Sequence, residues 1–205
     1  MRPPRWSAIS LFAGALAFGV AGLFHPFLTG DAAAQLGIIA HTPHWRLIHW
    51  TLLFAFPLMQ AGILGLVARH LDTPGASLLR TAAMLATLGF GIWALNVLVM
   101  AGTGWRLAQT PSDLNAQVLY AAIHPFGLAA ERLATFAMGV ALVVAGRGIR
   151  AGRRFPRWLA ETGTATGLIN VAVAVLFAET SQVMYVGQGI IVTWLAAVAV
   201  VMLVA

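Results

Sequence analysis

Six long apolar stretches dominate this chain, and they restrict it more than any other feature of the sequence. Each is long enough to cross a bilayer, which requires about 20 residues in a helix. Hydrophobic residues make up 60% of the chain and charged residues only 9%, against about 25% charged residues in a soluble domain. We therefore predict an all-α, polytopic membrane protein that forms a single six-helix domain over residues 1–205. The predicted spans are Ser7–Leu28, Pro43–Ala68, Leu79–Ala101, Ala116–Ala145, Trp158–Ala178 and Gln182–Ala205.

The stretches are apolar on all sides, whereas the strands of a membrane barrel alternate polar and apolar residues, so helices are favoured. The chain has no cysteine, which excludes disulfides and thiolate metal sites. It also has no lysine, which excludes a retinal Schiff base.

The arginines indicate an orientation. If the spans alternate, nine arginines fall on the side of the termini and only Arg46 and Arg106 on the other, with Arg132 inside a span. This asymmetry predicts cytoplasmic N and C termini in a bacterial inner (plasma) membrane. The net charge of +6 is then explained by topology and lipid contact, and a nucleic-acid partner is not expected.

Two outer loops carry helix-capping signals. Asp31 is the expected N-cap of a short interfacial helix over "AAAQLGIIA". Thr42 is expected to cap the second span, with Pro43 at the first helical position. Asp113 or Ser112 is expected to cap the fourth span.

Polar residues of the spans concentrate in their outer halves. We therefore predict an outward-facing polar cavity among the first four spans, lined by His49, Asn96, His124 and Glu131. Further contacts to a ligand or cofactor are expected from Trp45, Arg46, Asn96, Arg132, Glu179 and Gln182.

The fourth span presents Gln117, His124 and Glu131 at seven-residue spacing, which places them on one helix face. A charged group facing lipid costs at least ~2.5 kcal/mol, so this face must point into the bundle. Glu131 and His124 are the candidate catalytic acid–base residues. Arg132 lies about 100° away and needs its own partner, for which Glu179 or a neighbouring carbonyl are candidates. The alternative is a buried polar network that only locks the helices together.

Histidines could also hold a cofactor. His25, His49 and His124 lie at compatible depths for a divalent metal, and His49 with His124 could be the axial pair of haem b. Trp45 would form part of the apolar wall around a porphyrin. An equally open interpretation is that His49 and His124 are hydrogen-bonded core histidines.

Two short motifs resemble a family of uncharacterised six-helix bacterial membrane proteins with a "GDAAA" outer loop. Gly30–Ala34 match that loop, Arg46–Leu47 match the start of the following span, and Phe155–Leu159 match the joint before the fifth span. This sequence departs from the pattern at His44 and His49. The resemblance implies a six-helix fold and no particular activity.

The sequence is compatible with three functions. The first is a haem- or metal-binding protein with a redox partner. The second is a non-redox enzyme or binder of an apolar, lipid-like small molecule that uses Glu131, His124 and Arg132. The third is a sensor, transporter or accessory subunit, although the apolar inner half offers no polar path for transport.

Overall fold

The computed structural model describes residues 5–178 and 181–204. It is 84% helical and contains seven helices and no strand within those residues. The helices are α1 (Trp6–Phe24), α2 (Ala32–His41), α3 (Trp45–Ala68), α4 (Ala76–Leu107), α5 (Leu114–Gly152), α6 (Arg157–Leu176) and α7 (Gln182–Val204).

All of these helices except α2 are long and apolar enough to cross a membrane, so the predicted fold class is confirmed. Large apolar side chains face outward along them, including Leu23 at 85%, Met84 at 73% and Leu176 at 74% exposure. Such faces suit a lipid environment and not water. The chain is thus a multi-pass membrane protein.

Local sequence explains most helix ends. Pro26 follows α1 and restricts His25 to an extended backbone, with φ −79° and ψ 119°. Asp31 caps α2 as predicted, because its Oδ1 accepts a hydrogen bond from the Ala34 N–H at 2.9 Å. Asp113 caps α5, accepting from the Asn115 N–H at 2.9 Å.

The predicted start of the second span at Thr42 and Pro43 is wrong. Thr42 belongs to the end of α2, where its hydroxyl donates to the Ile38 carbonyl at 2.6 Å. The N-cap of α3 is His44, which takes the left-handed conformation at φ 61°. The left-handed backbone of His44 therefore separates α2 from α3, and Thr42 lies before that turn.

Helix α4 contains a π-helical turn at Met100–Gly104. The turn lies near the C-terminal end of α4, and the Trp45 indole N–H donates to the Met100 carbonyl at 3.0 Å. This hydrogen bond joins the start of α3 to the end of α4, next to the cavity described below.

The spanning helices form a closed ring in the order α3, α1, α7, α6, α5, α4 and back to α3. The closest packing is between α1 and α3, α4 and α5, and α5 and α6. We call the end of the bundle that holds α2 the distal end, and the end at which α1 begins and α7 ends the proximal end. The short helix α2 packs against α5 at the distal end.

Charged pairs lie at the proximal end, where Arg154 contacts Asp72 at 2.5 Å and Arg157 contacts Glu161 at 2.6 Å. Exposed pairs of this kind contribute little stability. Among the described residues, the arginines predicted to be cytoplasmic gather here, and the cytoplasmic orientation itself stays a prediction.

Candidate functional site: a polar cavity in the distal half

A cavity of about 180 Å³ opens in the distal half of the bundle. Five helices supply its walls, and α6 packs behind α5 and α7 without contributing a lining residue. The lining residues are Phe18, Gly22, His25, Phe27, Leu28, Thr29, His49, Leu52, Phe56, Trp93, Asn96, Val97, Met100, His124, Leu128, Glu131, Gln182, Tyr185 and Gln188.

The predicted polar cavity is therefore present, and His49, Asn96, His124 and Glu131 all line it. The prediction placed the cavity among the first four spans only, and this set of helices is incomplete. The last helix, α7, adds an entire wall through Gln182, Tyr185 and Gln188.

Glu131 is held by amide side chains from two other helices. The Gln188 Nε2 donates to its Oε1 at 2.7 Å, and the Asn96 Nδ2 approaches its Oε2 at 3.5 Å. Glu131 as a residue is partly buried, and it lines the cavity. Both amides present donors, which matches the acceptor oxygens of a carboxylate.

Gln188 was missed by the sequence analysis, although it was visible as a lone amide in an apolar span. Inside a membrane, such a residue is expected to find a polar partner on a neighbouring helix. Which helix is adjacent could not be read from the sequence, so Glu131 could not be named as its partner.

His49 is buried and oriented by its own helix. Its Nδ1 lies 2.9 Å from the Trp45 carbonyl, and a carbonyl only accepts, so Nδ1 carries the hydrogen. In the neutral imidazole, Nε2 is then an acceptor. The ring packs on Trp45 at a centroid distance of 4.2 Å.

His25 follows the end of α1 and touches His49, with ring centroids 5.0 Å apart. Burial lowers the pKa of His25, which favours the neutral ring. Its Nδ1 has no hydrogen-bond partner within residues 5–178 and 181–204. Two histidines thus share one wall of the cavity.

His124 lies on α5, apart from that histidine pair. Its ring stacks on Tyr120 at 4.9 Å. The Tyr120 hydroxyl donates to the Gln35 Oε1 on α2 at 3.0 Å. Since α3 and α5 are not neighbours in the ring of helices, His49 and His124 reach the cavity from separate walls.

Several predicted contact residues stand outside the cavity lining. Trp45 supports His49 from behind, and Arg46 lies over the Trp105 ring at 4.8 Å. The Arg132 Nη2 donates to the Phe177 carbonyl, one of the two kinds of partner predicted for it. Glu179 lies outside the described residues.

A metal role for His25, His49 and His124 stays a prediction. In the part of the chain that the structure describes, no group of three or more His, Asp or Glu side chains is placed to hold a metal ion. The structure brings His25 and His49 into contact and leaves His124 against Tyr120.

No family model matches this chain, and neither a curated protein nor a solved structure shows significant similarity to it. The resemblance to six-helix proteins with a "GDAAA" loop therefore stays a prediction. Function has to be inferred from the chemistry of the cavity.

Proposed function

We propose that this membrane protein binds a small molecule in its distal cavity, with Glu131 as the group that anchors it. One observation carries this proposal. A carboxyl group inside a membrane domain faces a cavity, and Gln188 and Asn96 hold it from two other helices. Ionisable groups within membrane spans are costly and mark functional sites by default.

The size of the cavity supports a small ligand. Its volume of about 180 Å³ is below the roughly 300–1,000 Å³ of pockets that hold drug-sized molecules. Apolar and aromatic walls with a few convergent polar groups are the usual composition of a ligand site. A bulky lipid would have to leave most of its chain outside.

Binding is better supported than transport through the bundle. Below the cavity, the proximal half encloses a second space of only about 20 Å³. Its walls are apolar side chains such as Leu11, Met138 and Leu195. A polar molecule would lose its hydrogen bonds on that route. A receptor or sensor role needs no such route.

An acid–base enzyme has less support. Glu131 is bonded to two amides, and Arg132, the proposed anion-binding group, is directed to the Phe177 carbonyl at the end of α6. Ligand binding, unlike acid–base catalysis, requires only that Gln188 and Asn96 hold Glu131 at the cavity.

Haem b remains a prediction from the histidines and not the function we propose. His49 and His124 line the cavity from separate walls. A porphyrin needs more than the present volume of about 180 Å³, so the helices would have to separate to admit one. An absorption spectrum with a Soret band that both His49→Ala and His124→Ala abolish would support haem.

The proposal is testable by thiol accessibility, because the natural chain has no cysteine. Leu128 lines the cavity, whereas Ala134, further along the same helix, is fully buried in the core. We expect methyl methanethiosulfonate, a small neutral reagent, to modify Leu128→Cys in folded protein and to leave Ala134→Cys unmodified. Mass spectrometry of the intact protein measures the modification.

Equal protection of both positions would contradict the proposal, because the cavity would then admit no molecule of that size. Equal modification of both would show that the reagent enters the core without using the cavity. Denatured samples of both variants should react fully, which confirms that each thiol is reactive.

A further inference from the structure

We propose that the ligand is a small organic cation whose ammonium group pairs with Glu131. This inference rests on the proposed function and adds the chemical class of the ligand. The observations that carry it are the charge balance of the cavity, the supply of hydrogen-bond acceptors and the aromatic residues beneath Glu131.

The charge balance is one-sided. Glu131 is the one acidic residue among the described residues that line the cavity, and none of those residues is an arginine. The chain has no lysine. The two arginines closest to the site in the sequence are engaged elsewhere, Arg132 with the Phe177 carbonyl and Arg46 with the Trp105 ring. A carboxylate here has amide donors but no arginine or lysine partner among the described lining residues.

Hydrogen-bonding capacity favours the same class of ligand. Gln188 and Asn96 each direct one amide hydrogen to Glu131. His49 uses its Nδ1 hydrogen on the Trp45 carbonyl, which leaves Nε2 as an acceptor. An ammonium group supplies only donors, which suit the His49 Nε2 and the Glu131 oxygens, whereas it leaves unused the donors that the wall also carries, such as the Trp93 indole N–H.

Aromatic residues lie deeper in the cavity than Asn96. Phe18, Phe56 and Trp93 form this aromatic floor, with Phe18 at 5.8 Å from both other rings and Phe56 at 6.1 Å from Trp93. Trp93 precedes Asn96 by one helical turn, so the floor lies next to the carboxyl group. Aromatic faces attract cations, most strongly when the cation is removed from water.

An anionic ligand would meet the opposite conditions. It would approach Glu131 without an arginine on the wall and would face the negative faces of the aromatic rings. A neutral alcohol could donate one hydrogen bond, but it would leave the carboxylate uncompensated. The ammonium ion is the ligand that satisfies the carboxylate, the acceptors and the rings together.

The experiment compares two thiol reagents of similar size and opposite charge, 2-aminoethyl and 2-sulfonatoethyl methanethiosulfonate. Their rate constants are measured at Leu128→Cys, inside the cavity, and at Ser112→Cys, exposed in the distal loop. The exposed position corrects for intrinsic reactivity and for the charge of the membrane surface. We expect the cationic reagent to be favoured at Leu128→Cys by about tenfold over the ratio at Ser112→Cys, as in clefts lined by one sign of charge.

Adding Glu131→Gln should bring the two ratios together, whereas Glu131→Asp should keep most of the preference. Equal ratios at both positions with Glu131 intact, a preference for the sulfonate, or a preference that survives Glu131→Gln would each overturn the cation proposal. If Glu131→Gln does not fold, the other two measurements still test the proposal, because equal ratios at both positions with Glu131 intact overturn it and a preference that Glu131→Asp retains supports it.

Failure of the two proposals can be told apart. If the neutral reagent modifies Leu128→Cys and the charged pair shows no preference, a small-molecule cavity remains and the ligand class is wrong. If the neutral reagent does not reach Leu128→Cys, the binding function itself is wrong.

Discussion

Trp45 joins three parts of the distal end through one side chain. Its indole N–H donates to the Met100 carbonyl in the π-helical turn of α4 at 3.0 Å. Its ring packs on His49 at 4.2 Å and on His25 at 5.2 Å. The residue does not line the cavity, and its role is to hold two histidines that do.

Trp45→Phe removes this hydrogen bond and, because Trp45 is fully buried, also leaves a small cavity where the larger ring was. The Met100 carbonyl also accepts from the Trp105 N–H within the π turn, so it is not left unsatisfied. We expect a loss of at least about 1 kcal/mol in the free energy of unfolding, since the net value of one hydrogen bond is about that and the cavity adds to it. Thermal unfolding in detergent measures it.

Trp50→Phe is the matched control, because Trp50 is 37% exposed and stacks on Phe54. Equal stability of the two variants would show that the hydrogen bond of Trp45 contributes nothing to the stability of the distal end.

At the scale of helices, small residues decide how closely neighbours approach. Helices α5 and α6 meet at Gly139 and Gly167. A Cβ at Gly167 would lie 2.5 Å from the Gly139 carbonyl oxygen and 2.6 Å from the Val143 nitrogen. Both are backbone atoms, which cannot rotate away. Close approach at small residues is the usual means of association between helices in lipid, where apolar burial does not drive helices together.

Gly167→Ala should therefore destabilise the bundle, by roughly 1–3 kcal/mol as in other overpacked interiors. The control is Gly91→Ala on α4, where a Cβ would meet nothing within 4 Å. That variant should be neutral or slightly stabilising, because alanine restricts the unfolded chain. Unfolding of both variants in the same detergent gives the comparison. If Gly167→Ala were as stable as Gly91→Ala, the α5–α6 contact would not be as tight as the structure has it.

Across the whole molecule, the two ends differ in chemistry. The distal half holds the polar cavity, and the proximal end carries most of the arginines. The positive-inside rule predicts that the distal end lies outside the cytoplasm, and in that orientation the cavity would take its ligand from outside.

Two serine-to-cysteine variants test this orientation. Ser112 is exposed in the distal loop, and Ser77 is exposed in the first turn of α4 at the proximal end. We expect a membrane-impermeant maleimide to label Ser112→Cys in intact cells and to label Ser77→Cys only after the cells are opened. The reverse pattern would show that the chain is inserted the other way round.

The sequence predicted the depth of the polar residues well, because depth along a helix follows from position at 1.5 Å per residue. His49, Asn96, His124 and Glu131 were all expected in one cavity and all line it. Composition alone was enough for the class of fold, since a chain with 9% charged residues cannot cover a surface that faces water.

Neighbour relations between helices could not be predicted in the same way. Gln188 and Glu131 are 57 positions apart, and nothing in either span indicates that the two helices adjoin. Likewise, residue preference alone did not show that Thr42 ends α2 and that His44 precedes α3 in the left-handed conformation. Lipid is as apolar as the surfaces of the helices, so hydrophobicity does not select which helices adjoin. The packing of small residues selects them instead.

The sequence by itself determined six apolar spans, the one-sided distribution of polar groups and the arginine-rich end, because these follow from the cost of placing polar groups in a bilayer. Only the tertiary structure decided that α7 forms a wall of the cavity, that Gln188 binds Glu131 and that Arg132 is directed to the end of α6. Those outcomes depend on the order of the helices around the ring and on the rotation of each about its axis. Both are set by contacts between residues far apart in the chain, which no property of a single span contains.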